Sequence, residues 1–156
     1  MLRLSKKADY ALIAMRHLAV RPNEGDSSTR EIAAHYDIPV ELLAKVLQRL
    51  ARHGLVASHQ GTRGGYHLSR PATAISVADV IEAIDGPLKV TACSTDEENC
   101  DQYSKCSVRD PLWRIKERIL TALQTCSVAE LASDSVPAAV PVALTLTRRA
   151  PLRSRR

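Results

Sequence analysis

The chain has 156 residues, of which 45% are apolar and 25% charged, and this balance excludes collagen-like, coiled-coil-only and wholly disordered chains. There is no Phe and aromatic residues make up only 3%, so we expect a core of Leu, Ile, Val and Ala. Because no apolar run approaches the roughly 20 residues that span a bilayer and no secretory signal is recognisable, we expect a cytoplasmic protein without a membrane partner.

The net charge of +5 is unevenly distributed along the chain. Residues 1–70 carry eleven Lys and Arg against six Asp and Glu, whereas residues 71–110 carry three against eight. A basic first half suits a polyanionic partner such as nucleic acid. The last nine residues hold five Arg and no acidic residue, and we expect the Pro-, Ala- and Arg-rich tail, 133–156, to lack fixed structure.

Two helices are predicted at the start of the chain. Ser5 can cap a helix that ends near Val20 and that has apolar residues at helical spacing. Ser28 and Glu31 have the spacing of a capping box, which predicts a short second helix ending near Tyr36.

A third helix and a β-hairpin follow. The third helix is predicted over 39–53, because Pro39 suits a first helical turn and Gly54 a C-terminal stop. The segments 55–58 and 66–68 flank a glycine-rich loop, HQGTRGG, and indicate a hairpin. This order predicts a mainly α fold with a small β-hairpin wing: a winged helix-turn-helix, in which the later helix of the pair enters the DNA major groove.

The second half predicts three further helices. Ser76 opens one that ends at Gly86, Asp110 and Pro111 open a long one to about Thr125, and a short one follows at 127–131. The long helix has an apolar stripe formed by Leu112, Ile115, Ile119, Leu123 and Cys126. We therefore expect four regions: a DNA-binding domain at 1–87, a cysteine-rich loop at 88–109, a dimerisation helix region at 110–132 and the basic tail at 133–156.

The outer face of the third helix carries donors and acceptors suited to groove reading. Lys45, Arg49 and Arg52 can neutralise phosphates, and Glu41, Lys45 and Gln48 can reach base edges. A solvated helix face would have the same pattern, so this helix alone does not decide the function. The predicted DNA contacts of the second and third helices are Thr29, Glu41, Lys45, Gln48 and Arg49.

The wing strengthens the case for DNA. Arg63 stands among glycines at its tip, and an arginine on a thin loop can enter a narrow minor groove. Glycines allow close approach of the backbone to a partner. The predicted wing contacts are His59, Gln60, Arg63, Gly64 and Gly65. A plain hairpin turn that happens to contain an Arg is the alternative.

Three of the four cysteines form a cluster in the poorly periodic segment 88–109. Cys93, Cys100 and Cys106 are separated by six and five residues. Thiolates favour iron–sulfur clusters, zinc or copper, and these spacings are long for a zinc knuckle. Metal binding or redox chemistry is therefore favoured over a structural disulfide. Cys126, on the apolar stripe, is expected to be a buried structural thiol.

The motifs LSKKADYALIAMRHLA, STREIAAHYDIPVELLAKVLQRLARHGLV and above all RGGYHLSRP resemble the Rrf-type family of winged helix-turn-helix transcription regulators. With the cysteine triplet downstream, the likeness is to the IscR- and NsrR-like members that bind an iron–sulfur cluster, and it covers about residues 1–126. The resemblance implies a homodimer on a near-palindromic double-stranded DNA operator. It further implies dimer contacts through the helix at 110–126 and a cluster held by Cys93, Cys100 and Cys106.

The fourth cluster ligand is less clear from the resemblance. Some relatives have a His three residues after the third Cys, where this chain has Arg109, which cannot ligate. In NsrR-like relatives an Asp of the first helix serves, and Asp9 occupies the matching place; an acid offsetting the helix dipole is the alternative. Asp110 is a further candidate, but it also suits the N-cap of the long helix. We expect a [2Fe–2S] cluster in preference to [4Fe–4S].

The sequence thus predicts a DNA-binding transcription regulator whose operator affinity is controlled by an iron–sulfur cluster that senses iron, redox state or nitric oxide. One alternative is a regulator of the same fold without a cluster, switched by its thiols, and another is a zinc site. A different class is a winged-helix module for protein interaction or cluster scaffolding. We do not expect an enzyme, because the five histidines are scattered and no phosphate-cradling loop occurs.

Overall fold

The computed structural model describes residues 4–21, 25–61, 64–88 and 105–133. Within them the fold is a helical bundle with a two-stranded antiparallel wing. The elements in chain order are α1 (Lys6–Val20), α2 (Thr29–His35), α3 (Val40–Arg52), β1 (Val56–His59), β2 (Gly65–Leu68), α4 (Val77–Asp85), α5 (Arg109–Thr125) and α6 (Val128–Ala132). A short 3₁₀ turn, Ala72–Ala74, precedes α4 and was not predicted.

The predicted N-cap of α1 is confirmed. The Ser5 hydroxyl accepts a hydrogen bond from the Ala8 amide at 3.2 Å, which satisfies a donor that has no partner within the helix. At α2 the Ser28 hydroxyl accepts from the Glu31 amide at 3.2 Å. The Glu31 carboxylate, however, lies 3.5 Å from Nη1 of Arg21. Among the described residues, the predicted capping box is therefore incomplete: the bond from the Glu31 amide to Ser28 is present, and the return bond from the Glu31 carboxylate is not.

A tight turn joins α2 to α3. Asp37 has a left-handed backbone, with φ of 52°, and the Ile38 amide returns to the Ala33 carbonyl at 2.9 Å. Asp tolerates this region better than most residues, because its short side chain can hydrogen-bond locally. Pro39 is the N-cap of α3 and lies just outside the helix. The helix therefore starts at Val40, one residue later than predicted. Gly54, with φ of 68°, follows the end of α3 as predicted.

The wing pairs Val56 with Leu68 and His59 with Gly65. Its second strand is also bridged to Ser27: the Ser27 amide donates to the Tyr66 carbonyl at 3.1 Å, and the Tyr66 amide donates back at 2.9 Å. The wing is therefore attached through its second strand to the segment that leads into α2.

The second half returns to the first. α4 starts with a complete capping box, between Ser76 and Asp79, and α6 starts with another. The Val128 amide donates to the Ile75 carbonyl at 2.8 Å, and the Val128 side chain is fully buried in the core. The long helix α5 begins at Arg109 with Val108 as its N-cap, so the prediction that Asp110 caps it is wrong.

The core is built from aliphatic side chains, as the composition indicates. Fully buried members include Met15, Ile32, Leu43, Leu47, Leu50, Ile75, Ile81 and Val128. They come from α1, α2, α3, α4, α6 and the residue before the N-cap of α4, whereas no residue of α5 is buried. Within the described ranges no helix is both long enough and apolar enough to cross a membrane.

Candidate nucleic-acid interface and cysteine site

Helix α3 has an apolar face and, opposite it, a polar face. Leu43, Val46, Leu47 and Leu50 are buried against the core. The opposite face is exposed, and it carries Glu41, Lys45, Gln48, Arg49 and Arg52. The side assignment made from the sequence is therefore confirmed: this row of charged and amide groups is available to a partner. Which of these residues touch DNA stays a prediction.

Arg49 has an additional contact within the protein. Its Nε donates to the backbone carbonyl of Ala83, in the last turn of α4, at 3.0 Å. This guanidinium therefore fastens α3 to α4, a role that the sequence did not indicate. The contact joins residues 34 positions apart, and no local pattern could have predicted it.

The wing and the start of α2 line a common groove of about 510 Å³. Of the predicted DNA contacts, the structure brings five to this groove: Thr29, His59, Gln60, Gly64 and Gly65. Arg63 lies outside the described residues. The groove also includes Arg30, an exposed cation that was not predicted as a contact.

Gly64 and Gly65 are in positions where a side chain would not fit. A Cβ on Gly64 would clash with the backbone carbonyl of His59, across the hairpin. A Cβ on Gly65 would come within 2.6 Å of the carbonyl carbon and oxygen of Ser27. Both glycines are thus required by close backbone packing, besides any approach to DNA.

The histidines of the wing share one carboxylate. Oδ1 of Asp26 lies 2.8 Å from Nδ1 of His67, and its Oδ2 lies 3.9 Å from Nδ1 of His59. Asp26 thus orients the His67 ring and places a carboxylate beside both histidines of the wing. The sequence analysis missed Asp26, because its partners lie more than 30 residues further along the chain.

The cysteine site is described only in part. Cys93 and Cys100 lie outside the described residues. Cys106 is partly buried just before α5, with a free thiol, and Asp9 is exposed in the first turn of α1. Asp110, the other candidate, accepts a hydrogen bond from Nε of Arg109 at 3.0 Å. Over the described residues no three His, Cys, Asp or Glu side chains are grouped to hold a metal, so the predicted ligand set remains a prediction.

Cys126 differs from its prediction. It is the C-cap residue of α5 and is only partly buried, so the expectation of a buried thiol is wrong. Its backbone carbonyl accepts from the Val77 amide at 2.9 Å, which explains why the residue lies against α4. Burial, and secondarily the negative charge of Glu130, raise the pKa of the Cys126 thiol.

Comparison with known proteins identifies the family. Residues 4–134 match the Rrf2 family, described as "Iron-dependent Transcriptional regulator". The HTH-type transcriptional regulator IscR of Yersinia pseudotuberculosis is 35% identical over 134 residues, which are 85% of this chain and 80% of that protein.

Solved structures agree with this assignment. CymR of B. subtilis, titled the global cysteine regulator, superposes with a TM-score of 0.72 at 29% identity, covering 86% of this chain and 99% of that one. IscR of T. potens has a TM-score of 0.65 at 30% identity, covering 83% and 85%. The oxidized form of Staphylococcus aureus CymR gives 0.68 at 26% identity, covering 86% and 98%. The chain belongs to the Rrf2 family of winged-helix, DNA-binding transcriptional regulators, and it is not an enzyme.

Proposed function

We propose that this regulator acts as a homodimer whose operator affinity is controlled by an iron–sulfur cluster on Cys93, Cys100 and Cys106. The observation that carries the DNA half of the proposal is the exposed polar row of α3, which lies opposite its buried face. The cluster half is supported by the cysteine spacing and by the likeness to IscR.

The proposed DNA contacts divide into three classes. Glu41, Lys45 and Gln48 read base edges in the major groove, where each base pair presents a distinct pattern of donors and acceptors. Arg52 and Thr29 bind phosphates, which set the register of the protein but carry no sequence information. Arg63 enters the adjacent minor groove.

The proposed dimer contact is α5. Ile115, on the apolar stripe, is 49% exposed, and α5 is the longest helix among the described elements. An apolar stripe that stays partly exposed on a helix of a regulator commonly marks an interface. Two copies related by a twofold axis would present two α3 helices to the half-sites of a near-palindromic operator.

The donor set suits an iron–sulfur cluster. Thiolates are its usual ligands, the Cys106 thiol is free, and the Asp9 carboxylate is exposed as a ligand shared between subunits requires. When bound, the cluster supplies a redox-active centre that iron limitation, oxidants or nitric oxide alter. We propose a [2Fe–2S] form. Ligation would fix the positions of Cys93, Cys100 and Cys106 relative to one another, and this constraint would bias the position of α5 and hence the spacing of the two α3 helices.

A second candidate function is a thiol switch without a cluster. It is favoured by the free, partly accessible thiol of Cys106. It is also favoured by the likeness to CymR, since one of the similar solved structures is the oxidized form of Staphylococcus aureus CymR. In this case oxidation of the thiols, rather than cluster loss, changes operator affinity.

The test is anaerobic purification followed by an absorption spectrum and counts of iron and sulfide. The proposal expects a coloured protein with both elements, and loss of both in variants with Ala at Cys93, Cys100 or Cys106. A colourless, iron-free wild type would reject the cluster, and disulfide mapping would then test the thiol switch. Zinc without sulfide would indicate a zinc site.

DNA binding is tested separately, by fluorescence anisotropy on a duplex carrying the promoter of the protein's own gene. Lys45→Ala is expected to change the preference among operator variants, because Lys45 reads bases. A uniform loss across sequences would make Lys45 a phosphate contact instead. Absence of any salt-sensitive affinity would favour a protein-interaction or scaffold role.

A further inference from the structure

The last turn of α4 is connected to two other helices. The Ala83 carbonyl accepts from Nε of Arg49 on α3 at 3.0 Å. The Asp85 carboxylate accepts from the backbone amide of Ser5 at 3.0 Å and from its hydroxyl at 2.5 Å. Directly after this turn, Gly86 ends the helix. The chain then continues into residues 88–109, which contain Cys93, Cys100 and Cys106 and are called the cysteine segment below.

The Arg49 contact has a cause in the sequence. In an α-helix the Ala83 carbonyl would accept from the amide of residue 87, but that residue is Pro87, which has no N–H. Nε of Arg49 supplies the missing donor. A residue of α3 thus satisfies a carbonyl in the last turn of α4 that Pro87, beyond the C-cap Gly86, leaves without a backbone donor.

The Asp85 contact is also suited to its place. The amide and hydroxyl of Ser5 lie at the N-terminus of α1, where the helix dipole favours a negative charge. The same hydroxyl accepts from the Ala8 amide, so Asp85 holds the residue that caps α1. The first turn of α1 also carries Asp9, the candidate fourth ligand.

Helix α4 is suited to move as one body. It is capped at its start by the complete capping box, and Val80, Ile81 and Ile84 are buried along its length. Close-packed interiors transmit displacement because they do not deform continuously. A displacement imposed at Gly86 would therefore reach α3 through Arg49 and α1 through Asp85.

We propose that Arg49 and Asp85 are positioning residues that transmit the state of the cysteine segment, through the last turn of α4, to the recognition helix. The inference rests on the proposed function, because it assumes that this state governs operator affinity. Arg49 acts mainly through the Ala83 carbonyl, and its charge near DNA is secondary.

The key variant is Arg49→Lys, which keeps the positive charge but lacks the fixed Nε–H donor. Its matched control is Arg52→Lys, three residues further along the same exposed face. Asp85→Asn tests the other connection, and its control is Glu82→Gln, an exposed residue of the same helix. Melting temperatures of all four variants show whether any effect follows stability instead.

The first measurement is the ratio of operator Kd between cluster-free and cluster-loaded protein. In the wild type the coupling should lie between about 5-fold and 150-fold. Arg49→Lys and Asp85→Asn are expected to reduce this ratio at least about threefold, and the double variant to add little more, because both residues hold the same last turn of α4. The two controls should keep the wild-type ratio. An unchanged ratio in Arg49→Lys would overturn the inference.

A second measurement needs no cluster. Because coupling is reciprocal, operator DNA should change the rate at which iodoacetamide alkylates Cys106 in the cluster-free protein. Arg49→Lys should abolish that change, whereas Arg52→Lys should retain it. If cluster loading leaves the wild-type Kd unchanged, the cluster-controlled function fails. The inference fails instead if Arg49→Lys keeps the full effect of DNA on Cys106.

Discussion

At the scale of single residues, the Cys126 thiol offers a direct test of local electrostatics. Its pKa is raised by burial and then by the charge of Glu130, so less of the reactive thiolate is present at a given pH. Glu130→Gln removes the charge. It keeps the α6 capping box, because Gln still offers an acceptor to the Ser127 amide. At pH 8 we expect faster alkylation of Cys126 in this variant, measured by mass spectrometry of its peptide.

Cys106 in the same sample is the control for that experiment, since its alkylation rate should not respond to Glu130→Gln. Because the pKa of the Cys126 thiol is raised, the fold favours its neutral form. The contribution of Cys126 to the free energy of unfolding is therefore lost as pH rises through that raised pKa. A slower or unchanged reaction of Cys126 in Glu130→Gln would contradict the electrostatic argument.

Single residues also show where sequence reasoning stops. The buried and exposed faces of α3 could be predicted, because helical periodicity alone places Leu47 inside and Lys45 outside. The bonds from Arg49 to Ala83 and from Asp26 to His67 could not, because each joins residues 34 or 41 positions apart. Such contacts depend on how the helices pack, and one sequence contains no record of that.

At the scale of elements, the wing depends on its attachment to the segment before α2. Gly65→Ala would place a Cβ against the Ser27 backbone and force β2 away from it. Because the wing would then be displaced from the groove beside Thr29, we expect operator Kd to rise at least about tenfold, equivalent to about 1.4 kcal/mol. Fluorescence anisotropy measures the effect.

Thr73→Ala, an exposed substitution in the 3₁₀ turn, is the matched control for the wing and should bind normally. Cluster content and oligomeric state of Gly65→Ala should equal those of the wild type, since this substitution is confined to the hairpin. Wild-type affinity in Gly65→Ala would remove the wing from the binding surface.

Helix α5 provides the second test at this scale. Ile115→Glu puts a charge on the proposed dimer stripe, and burying an unpaired carboxylate is costly. We expect sedimentation velocity to show monomers for this variant at concentrations where the wild type is dimeric. Glu117→Gln, about 200° around the helix, should leave the dimer intact. A dimeric Ile115→Glu protein would place the interface elsewhere.

The elements themselves were largely predictable from their ends. Ser5, Ser28 and Ser76 each cap a helix as expected, because a side-chain oxygen satisfies amides that the helix leaves unpaired. Ser127 was predicted as the first residue of the last helix and is instead its N-cap. The start of α5 was misplaced, since Val108 precedes the helix and Asp110 lies inside it. Val108 has no side-chain oxygen to signal an N-cap, whereas Asp110 carries a common cap residue type.

At the scale of the whole molecule, α6 packs its buried Val128 into the core formed by α1 and the residues before α4. The chain after α5 therefore returns to the DNA-binding part. The apolar stripe of α5 thus belongs to a body that also holds α3, so in the proposed dimer the orientation of one α5 against the other would fix the distance between the two α3 helices. The excess of basic over acidic residues in 1–70 includes Lys45, Arg49 and Arg52 of the exposed α3 face, which would face the duplex.

The charge argument leads to a prediction about salt. Binding of a basic surface to DNA releases counterions, so log K should fall linearly with log salt concentration. Arg52→Gln is expected to lower the magnitude of that slope by about 1, because it removes a charge that neutralises one phosphate. It should leave the ranking of operator variants unchanged, because phosphates carry no sequence information.

Arg114→Gln, an exposed change of the same type on α5, is the control and should not alter the slope. Anisotropy titrations from low to moderate salt measure both. If Arg52→Gln changed the ranking and kept the slope, Arg52 would read bases, and the division of α3 into reading and anchoring residues would have to be reversed.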